Sequence, residues 1–375
     1  MSLKPQEVNP IPEETMRVAH AAFPKGNALM RLRDVLGPIY TDAQFTALFP
    51  HDGQPALSPG RLALVSVLQF AAGLSDRQAA DAVRNQIDWK YVLALELDDA
   101  GFDASVLSEF RSRLLAGGAE MQLFETLLSL LREQGFLKAR GKQRTDSTHV
   151  LAAVVTLNRL ECVGETLRHA LNVLATVAPD WLREGIPSSW YERYARRFEE
   201  YRLPAKKEDR YALAEQIGAD GLQLLQLIDG EQEWAWLREI PAVQILRRVW
   251  MQQFYACAPG SPVHWRVAED LPPAPLLISS PYDPDARWSK KRETTWTGYK
   301  VHLTETCDDD LPHVITNVET TNATLADHSM TDVIHTHLAE RDLLPSEHIV
   351  DTGYMTSDHL VTSQEQQVDF ASAHA

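Results

Sequence analysis

An apolar run that ends in an acid constrains this sequence more than any other feature. Ile349 and Val350 lead directly into Asp351, and Thr352 and Gly353 follow. β-Branched residues favour strands, and glycine beside a polar residue favours the turn that ends one. The segment therefore predicts a buried strand that delivers the carboxylate of Asp351 to the edge of a sheet.

A second acid lies in a strand-like stretch earlier in the chain. Asp146 follows the basic residues 138–144 and precedes the β-rich run "THVLAAVV". A single aspartate in such a position most often caps a strand end or a turn. The pair becomes informative only if the fold brings Asp146 and Asp351 together.

The C-terminal part of the sequence predicts how that could happen. Residues 299–306 and 313–321 alternate between apolar and polar side chains, which predicts a hairpin. Residues 325–341 have helical periodicity, and the strand that ends at Asp351 comes next. Because crossovers between parallel strands are right-handed, this last strand can lie parallel to the strand of Asp146. The segment is a coherent α/β unit.

Helical patterns dominate the N-terminal third. Ser75 and Gln78 have the spacing of a capping box, and apolar residues recur at helical spacing in residues 103–115. Residues 28–137 are therefore expected to form either a helix-turn-helix-like domain or a plain helical bundle. Residues 1–27 are polar and rich in proline, and are expected to form a flexible arm.

A long helical block separates the strand of Asp146 from the hairpin. Residues 157–265 are rich in tryptophan, leucine and glutamate, and Pro241 predicts a break between helices. We expect this block to be a helical insertion outside the sheet. His149, His302 and His348 lie in predicted strands without a second histidine at ligand spacing, so they are expected to be strand residues rather than metal ligands.

Composition excludes several classes of protein. The net charge of −16 argues against a protein that coats DNA. Three widely spaced cysteines exclude a disulfide framework and a zinc ribbon, and suit a reducing cytosol. The N-terminus has no apolar signal core, and the longest apolar stretch, residues 62–74, is shorter than a membrane span. A cytoplasmic protein without membrane contact is expected.

Positive charge is concentrated in residues 287–300, where five basic residues oppose the single acid Glu293 and the local charge is +4. Trp288, Trp296 and Tyr299 are interleaved with them. Cations with aromatic rings suit a DNA strand through phosphate contacts and base stacking, although a solvated surface loop has the same composition. The candidate DNA-binding residues are Arg287, Lys290, Lys291, Arg292, Trp296 and Lys300.

Two neighbouring carboxylates also need an explanation. They repel each other unless a cation lies between them. Mg²⁺, or Mn²⁺ in its place, prefers oxygen ligands and keeps waters that phosphate oxygens can replace. Asp146 and Asp351 are therefore the candidate catalytic and metal-binding residues, in a site for phosphoryl transfer.

Several segments carry a family resemblance. The segments "RTDSTHV", "DPDARWSKKRETTWTGYKVHLTET" and "HIVDTGY" resemble those around the first and second catalytic acids of DDE transposases from bacterial insertion sequences. The segments "AAFPKGNALMRLRDVLG", "LSDRQAADAVRNQIDWKY" and "SVLSEFRSRL" resemble the N-terminal helical domain of the same group. The resemblance spans about residues 22–369. It implies that Asp146 is the first acid and Asp351 the second.

The resemblance carries further implications for fold and activity. It implies a mainly α N-terminal domain followed by an α/β RNase H-like catalytic domain over residues 138–375, interrupted by the insertion. It implies Mg²⁺ dependence, and cutting and rejoining of DNA at element ends. The partners would be the terminal repeats and the target DNA, near the bacterial nucleoid. A homodimer is left open.

The family also has a third acid, usually a glutamate, on a helix beyond the next strand. Glu365 follows Asp351 by 14 residues, which is too early for an intervening strand and loop. We therefore expect a C-terminally truncated transposase that is inactive alone. The alternatives are a non-catalytic DNA-binding or dimerising fragment, and a different metal-dependent nuclease.

Overall fold

Helices and strands divide the chain into two compact units. The computed structural model describes residues 2–7, 9–153, 157–230, 232–258, 260–291 and 293–372. About 51% of the chain is helical and the strands form a mixed sheet, which confirms an α/β protein. The N-terminal unit is Met1–Ala139 with Asp309–Pro312, and the sheet unit is Arg140–Asp308 with His313–Ala375. No helix in the described ranges is both long and apolar enough to cross a membrane.

The N-terminal unit is built from helices around one apolar core. Ser75 and Gln78 form the predicted capping box at the start of its fourth helix. Leu107, Phe110 and Leu114 are the buried stripe of its sixth helix, as the periodicity predicted. The helices are α1 (Glu13–Ala22), α2 (Ala28–Leu36), α3 (Pro59–Ala71), α4 (Asp76–Asn85), α5 (Ile87–Val92), α6 (Ser105–Ala116) and α7 (Gln122–Glu133).

The expected flexible arm needs correction, because residues 13–22 form helix α1. Thr15 and Ala19 of this helix are buried, and the hydroxyl of Thr15 donates to the carbonyl of Leu95 at 2.7 Å. The prolines had suggested an irregular segment. Pro12, however, occupies the N-cap position, where a residue without an N–H group costs the helix nothing.

The sheet unit begins with β1 (Lys142–Leu151) and continues into the helical insertion. Gly218 and Gly221 allow the rings of Phe254 and Trp250 to lie against the backbone of its longest helix. Its described residues form a separate two-stranded sheet and do not pair with the central sheet. The elements are α8 (Arg159–Val177), α9 (Pro179–Gly185), α10 (Ser189–Tyr194), α11 (Lys207–Gly230), α12 (Pro241–Gln253), β2 (Phe254–Ala256) and β3 (Val263–Trp265).

Six strands form the central sheet, in which five further strands join β1. They are β4 (Arg287–Lys291), β5 (Thr294–Thr306), β6 (Ile315–Asn322), β7 (Glu347–Val350) and β8 (Asp369–Ser372). The long strand β5 is antiparallel to β1, β4 and β6. Helix α13 (Thr331–Glu340) leads from β6 to β7, and α14 (Ser357–Glu365) leads from β7 to β8. Strand β7 is parallel to both β1 and β8.

One face of the central sheet is buried although its side chains are largely polar. Thr145 Oγ1 lies 2.7 Å from Thr304 Oγ1 and 2.7 Å from His348 Nε2. His348 Nδ1 lies 2.8 Å from Nε2 of His335 on α13. Gln143 donates to the carbonyl of Leu343 at 2.6 Å. These groups satisfy one another, as buried polar groups must, and they join β1, β5 and β7 to α13. His302 and His348 are strand residues, as expected.

The buried face should make stability depend on pH. Burial, followed by the neighbouring His335, lowers the pKa of His348 from 6.5 to about 3. The folded protein therefore keeps His348 neutral at pH values where the unfolded chain binds a proton. The contribution of neutral His348 to the free energy of unfolding is complete above about pH 6.5. It falls as the pH drops toward about 3, by up to about 1.4 kcal/mol per pH unit.

We expect His348→Gln to flatten the profile of unfolding free energy between pH 7 and pH 5. Urea denaturation at several pH values measures it. His313→Gln, at an exposed position, is the control and should leave the profile unchanged. Identical profiles for wild type and His348→Gln would contradict the prediction.

Candidate active site

The register of β1 and β7 brings the two predicted acids together. Thr145 and Val350 form the last pair of residues between β1 and β7. Asp146 is the next residue after Thr145, and Asp351 is the next residue after Val350. Neighbouring strands lie about 4.8 Å apart, which puts the two residues side by side. Asp146 therefore lies on β1 beside the end of the parallel strand β7, and Asp351 immediately follows the last residue of β7. That the two carboxylates share a metal stays a prediction.

Each acid is exposed, and one oxygen of each is oriented by a local donor. The Ser147 amide donates to Asp146 Oδ1 at 2.7 Å, and the Thr352 hydroxyl donates to Asp351 Oδ1 at 3.1 Å. Within the described part of the chain, the Oδ2 atom of each carboxylate accepts no hydrogen bond. Each acid therefore presents an oxygen that a cation can bind.

Both acids line one open cavity of about 590 Å³ on the face opposite the polar network. The side chains of Leu303, Ile315 and Ile349 contribute an apolar surface to it. An ion pair between Arg144 and Glu305, 2.6 Å long, also lines the cavity. A substrate can reach the two carboxylates from solvent.

The donor set determines which metal the cavity suits. Among the described residues, no group of three or more histidine, cysteine, aspartate or glutamate side chains can hold a metal ion. A structural zinc site, which needs four protein ligands, does not fit. Two carboxylates do suit Mg²⁺, because this ion is commonly held by one or two carboxylates and keeps several waters.

The contact between two buried residues beneath the acids, Tyr354 and His302, was not predicted from the sequence. Tyr354 is 1% exposed, and its hydroxyl lies 2.6 Å from His302 Nδ1. The signal was present in the sequence, since His302 and Thr304 alternate with Val301 and Leu303 in one strand. The alternation does not show which face is buried, and in the structure it is the face of His302 and Thr304.

Comparison with known proteins identifies one region. Residues 17–113 match the family model described as "Transposase domain (DUF772)". The match lies in the N-terminal unit and supports a transposase family for this chain. No curated protein and no solved structure matches the chain.

The structure divides the predicted DNA-binding residues into those that are engaged inside the protein and those that are exposed. Arg287 is buried, and its guanidinium donates to the carbonyls of Pro275, Pro284 and Ala286. Burial lowers the pKa of Arg287. Its donors already have acceptors inside the protein, and its role in binding phosphate stays a prediction.

Two other members of the predicted cluster are also engaged internally. Trp296 is 6% exposed, and its indole N–H donates to the carbonyl of Tyr299 at 3.2 Å. Lys300 forms an ion pair with Asp327 at 2.8 Å. A base could not stack on the buried Trp296 without displacing its neighbours. The DNA-binding roles of Trp296 and Lys300 stay predictions.

The remaining members of the cluster lie on β4 or next to it. Lys290 and Lys291 are exposed there, and Trp288 is 47% exposed. Arg292 lies outside the described residues. The two lysines and Trp288 are the described residues of this cluster that solvent, and hence a ligand, can reach.

Arg287→Ala should destabilise the fold, because three carbonyls lose a charged donor in a buried setting. We expect the free energy of unfolding to fall by about 2 kcal/mol or more. Lys290→Ala, three residues away and exposed, should change it by no more than about 0.5 kcal/mol. Urea denaturation of the full chain measures both. An Arg287→Ala variant as stable as wild type would show that the guanidinium is not a structural donor.

Proposed function

We propose that this chain is a transposase of the DDE type, which cuts DNA at the ends of an insertion sequence and joins them to a target. The observation that carries the proposal is the position of Asp146 and Asp351 on adjacent parallel strands, above one open cavity. The match of residues 17–113 to a transposase domain supports it independently, since that match ends before either acid.

The topology supports the RNase H-like fold that the resemblance implies. Three antiparallel strands, β1, β5 and β6, precede a crossover helix and the parallel strand β7. This strand order accounts for the positions of the acids. Asp146 lies on β1 in the centre of the sheet, and Asp351 directly follows the neighbouring strand β7. The insertion lies between β1 and β4, where it leaves the pairing of the central sheet intact.

Asp146 and Asp351 would hold Mg²⁺, or Mn²⁺, through their Oδ2 atoms. The bound ion would supply positive charge for the oxygens of a phosphodiester during phosphoryl transfer. The chain itself orients the two carboxylates, through the Ser147 amide and the Thr352 hydroxyl. The open cavity admits a DNA strand to them.

DNA would contact the sheet unit through Lys290, Lys291 and the exposed ring of Trp288 on β4. Lysines neutralise phosphates and release counterions, and an aromatic ring can stack on an unpaired base. Because the whole chain carries a net charge of −16, repulsion opposes this local attraction. Affinity should therefore be modest and should fall steeply with salt.

The activity expected of this chain depends on whether it has the third catalytic carboxylate that DDE transposases use. Glu305 lines the same cavity, but its carboxylate is paired with Arg144. With two available carboxylates the described residues would hold a single ion, whereas two ions stabilise both the attacking and the leaving oxygen. We therefore propose that these residues alone bind DNA but join strands poorly.

Metal binding tests the site directly. We expect one Mn²⁺ ion to bind to the full chain at the two acids. A titration monitored by electron paramagnetic resonance measures the bound Mn²⁺ and its affinity. Asp146→Asn and Asp351→Asn should each weaken binding by about tenfold or more, because each removes a charged oxygen ligand. Asp358→Asn, at an exposed position on α14 outside the cavity, is the matched control. Equal Mn²⁺ affinity in all four proteins would overturn the proposed site.

DNA assays then separate the competing activities. The substrates are a supercoiled plasmid and a duplex that carries the DNA flanking the coding region. Little joining, together with binding that weakens in Lys290→Ala and Lys291→Ala, is the expected result. Nicking of any plasmid that depends on Asp146 would favour a different metal-dependent nuclease. Efficient joining would show that the chain supplies a third ligand of its own.

A further inference from the structure

Tyr354 occupies an unusual position relative to the two acids. It lies three residues after Asp351, at the end of the short 3-10 turn Thr352–Tyr354, and its amide donates to the Asp351 carbonyl at 2.9 Å. Its side chain is almost completely buried. The ring therefore extends from the segment of the second acid into the interior of the sheet unit.

The hydroxyl of Tyr354 reaches the strand next to the first acid. It lies 2.6 Å from Nδ1 of His302 on β5. His302 is the cross-strand partner of Ser147, the residue that follows Asp146. The phenol group thus connects the turn after the second acid to the strand that pairs with the segment of the first.

The partners of this hydroxyl are themselves fixed. His302 is completely buried, and its Nε2 atom lies 3.1 Å from the hydroxyl of Thr321 on β6. The hydroxyl of Thr331 on α13 donates to the Tyr354 carbonyl at 2.8 Å, in a buried contact. A continuous polar chain therefore runs from β6 through β5 to the turn beyond β7.

We propose that Tyr354 is a positioning residue, which sets the separation of the Asp146 and Asp351 carboxylates by tying the turn after Asp351 to His302, the cross-strand partner of Ser147 on β5. This inference rests on the proposed function of the two acids as metal ligands. Parallel pairing alone cannot set the separation, because the last β1–β7 pair is Thr145 with Val350 and both acids lie beyond it. The tyrosine hydroxyl supplies the missing restraint.

A purely space-filling role predicts a different outcome on removal of the oxygen. Phenylalanine fills nearly the same volume, so packing is retained in Tyr354→Phe while the hydrogen bond to His302 is lost. Tyr194→Phe is the matched control, because Tyr194 is equally buried and its hydroxyl donates to Asp220 at 2.6 Å in the insertion. Both variants lose one buried hydroxyl, but only one of them loses it beneath the acids.

Two measurements on the full chain test the proposal. In Tyr354→Phe we expect Mn²⁺ affinity to fall by about tenfold, as is usual when a group that orients a metal ligand is lost. We also expect the amides of residues 351–356 to exchange hydrogen at least about tenfold faster without metal, by mass spectrometry. Tyr194→Phe should retain the wild-type Mn²⁺ affinity and the wild-type exchange of residues 351–356, whatever its effect on stability.

The outcomes distinguish the two proposals. If wild type binds Mn²⁺ through Asp146 and Asp351 while Tyr354→Phe binds equally well, positioning by Tyr354 is overturned and the proposed function stands. Unchanged exchange of residues 351–356 in Tyr354→Phe would overturn the tether itself, with or without metal. If wild type binds no Mn²⁺, the proposed function fails and the positioning role fails with it.

Discussion

Pairing of β1 with β7 is the contact on which the rest of the sheet unit depends. It joins residues about 200 positions apart, and the hydrogen bond between Thr145 and His348 lies at its centre. The polar groups on the buried face match one another only in this register. A slip of one residue would turn Arg144 and Asp146 toward α13 and expose Thr145 to water. The two charged side chains would then be buried without a partner. The positions of both acids therefore follow from a network that faces away from them.

Much of this arrangement could be predicted from short sequence patterns. Alternation identified the hairpin of β5 and β6, and the β-branched residues before Asp351 identified β7. The handedness of crossovers then placed β7 beside β1. These predictions succeeded because each depends on local periodicity or on a rule of chain geometry. The capping box at Ser75 succeeded for the same reason, since its two residues are three positions apart.

Other features depend on tertiary structure that short patterns do not contain. Arg287, Trp296 and Lys300 were expected to bind DNA because cations and aromatic rings cluster there, but composition does not reveal which side chains find partners inside the protein. The acceptors of Arg287 include the carbonyl of Pro275, outside the cluster. Asp327, the partner of Lys300, lies 27 residues away. His302 and His348 were predicted to lie in strands, but alternation alone does not show that their face is buried, and only the tertiary fold shows which polar groups satisfy them.

The insertion between β1 and its partners has a consequence for synthesis of the chain. Strand β1 leaves the ribosome about 145 residues before Gly298, its first partner on β5, and about 200 residues before β7. At about 5–20 residues per second, it waits roughly seven to thirty seconds without a partner. An unpaired strand is an aggregation hazard, which charged side chains reduce. Lys142, Arg144 and Asp146 give the waiting strand this protection, so the first candidate catalytic acid would also help to keep the nascent chain soluble.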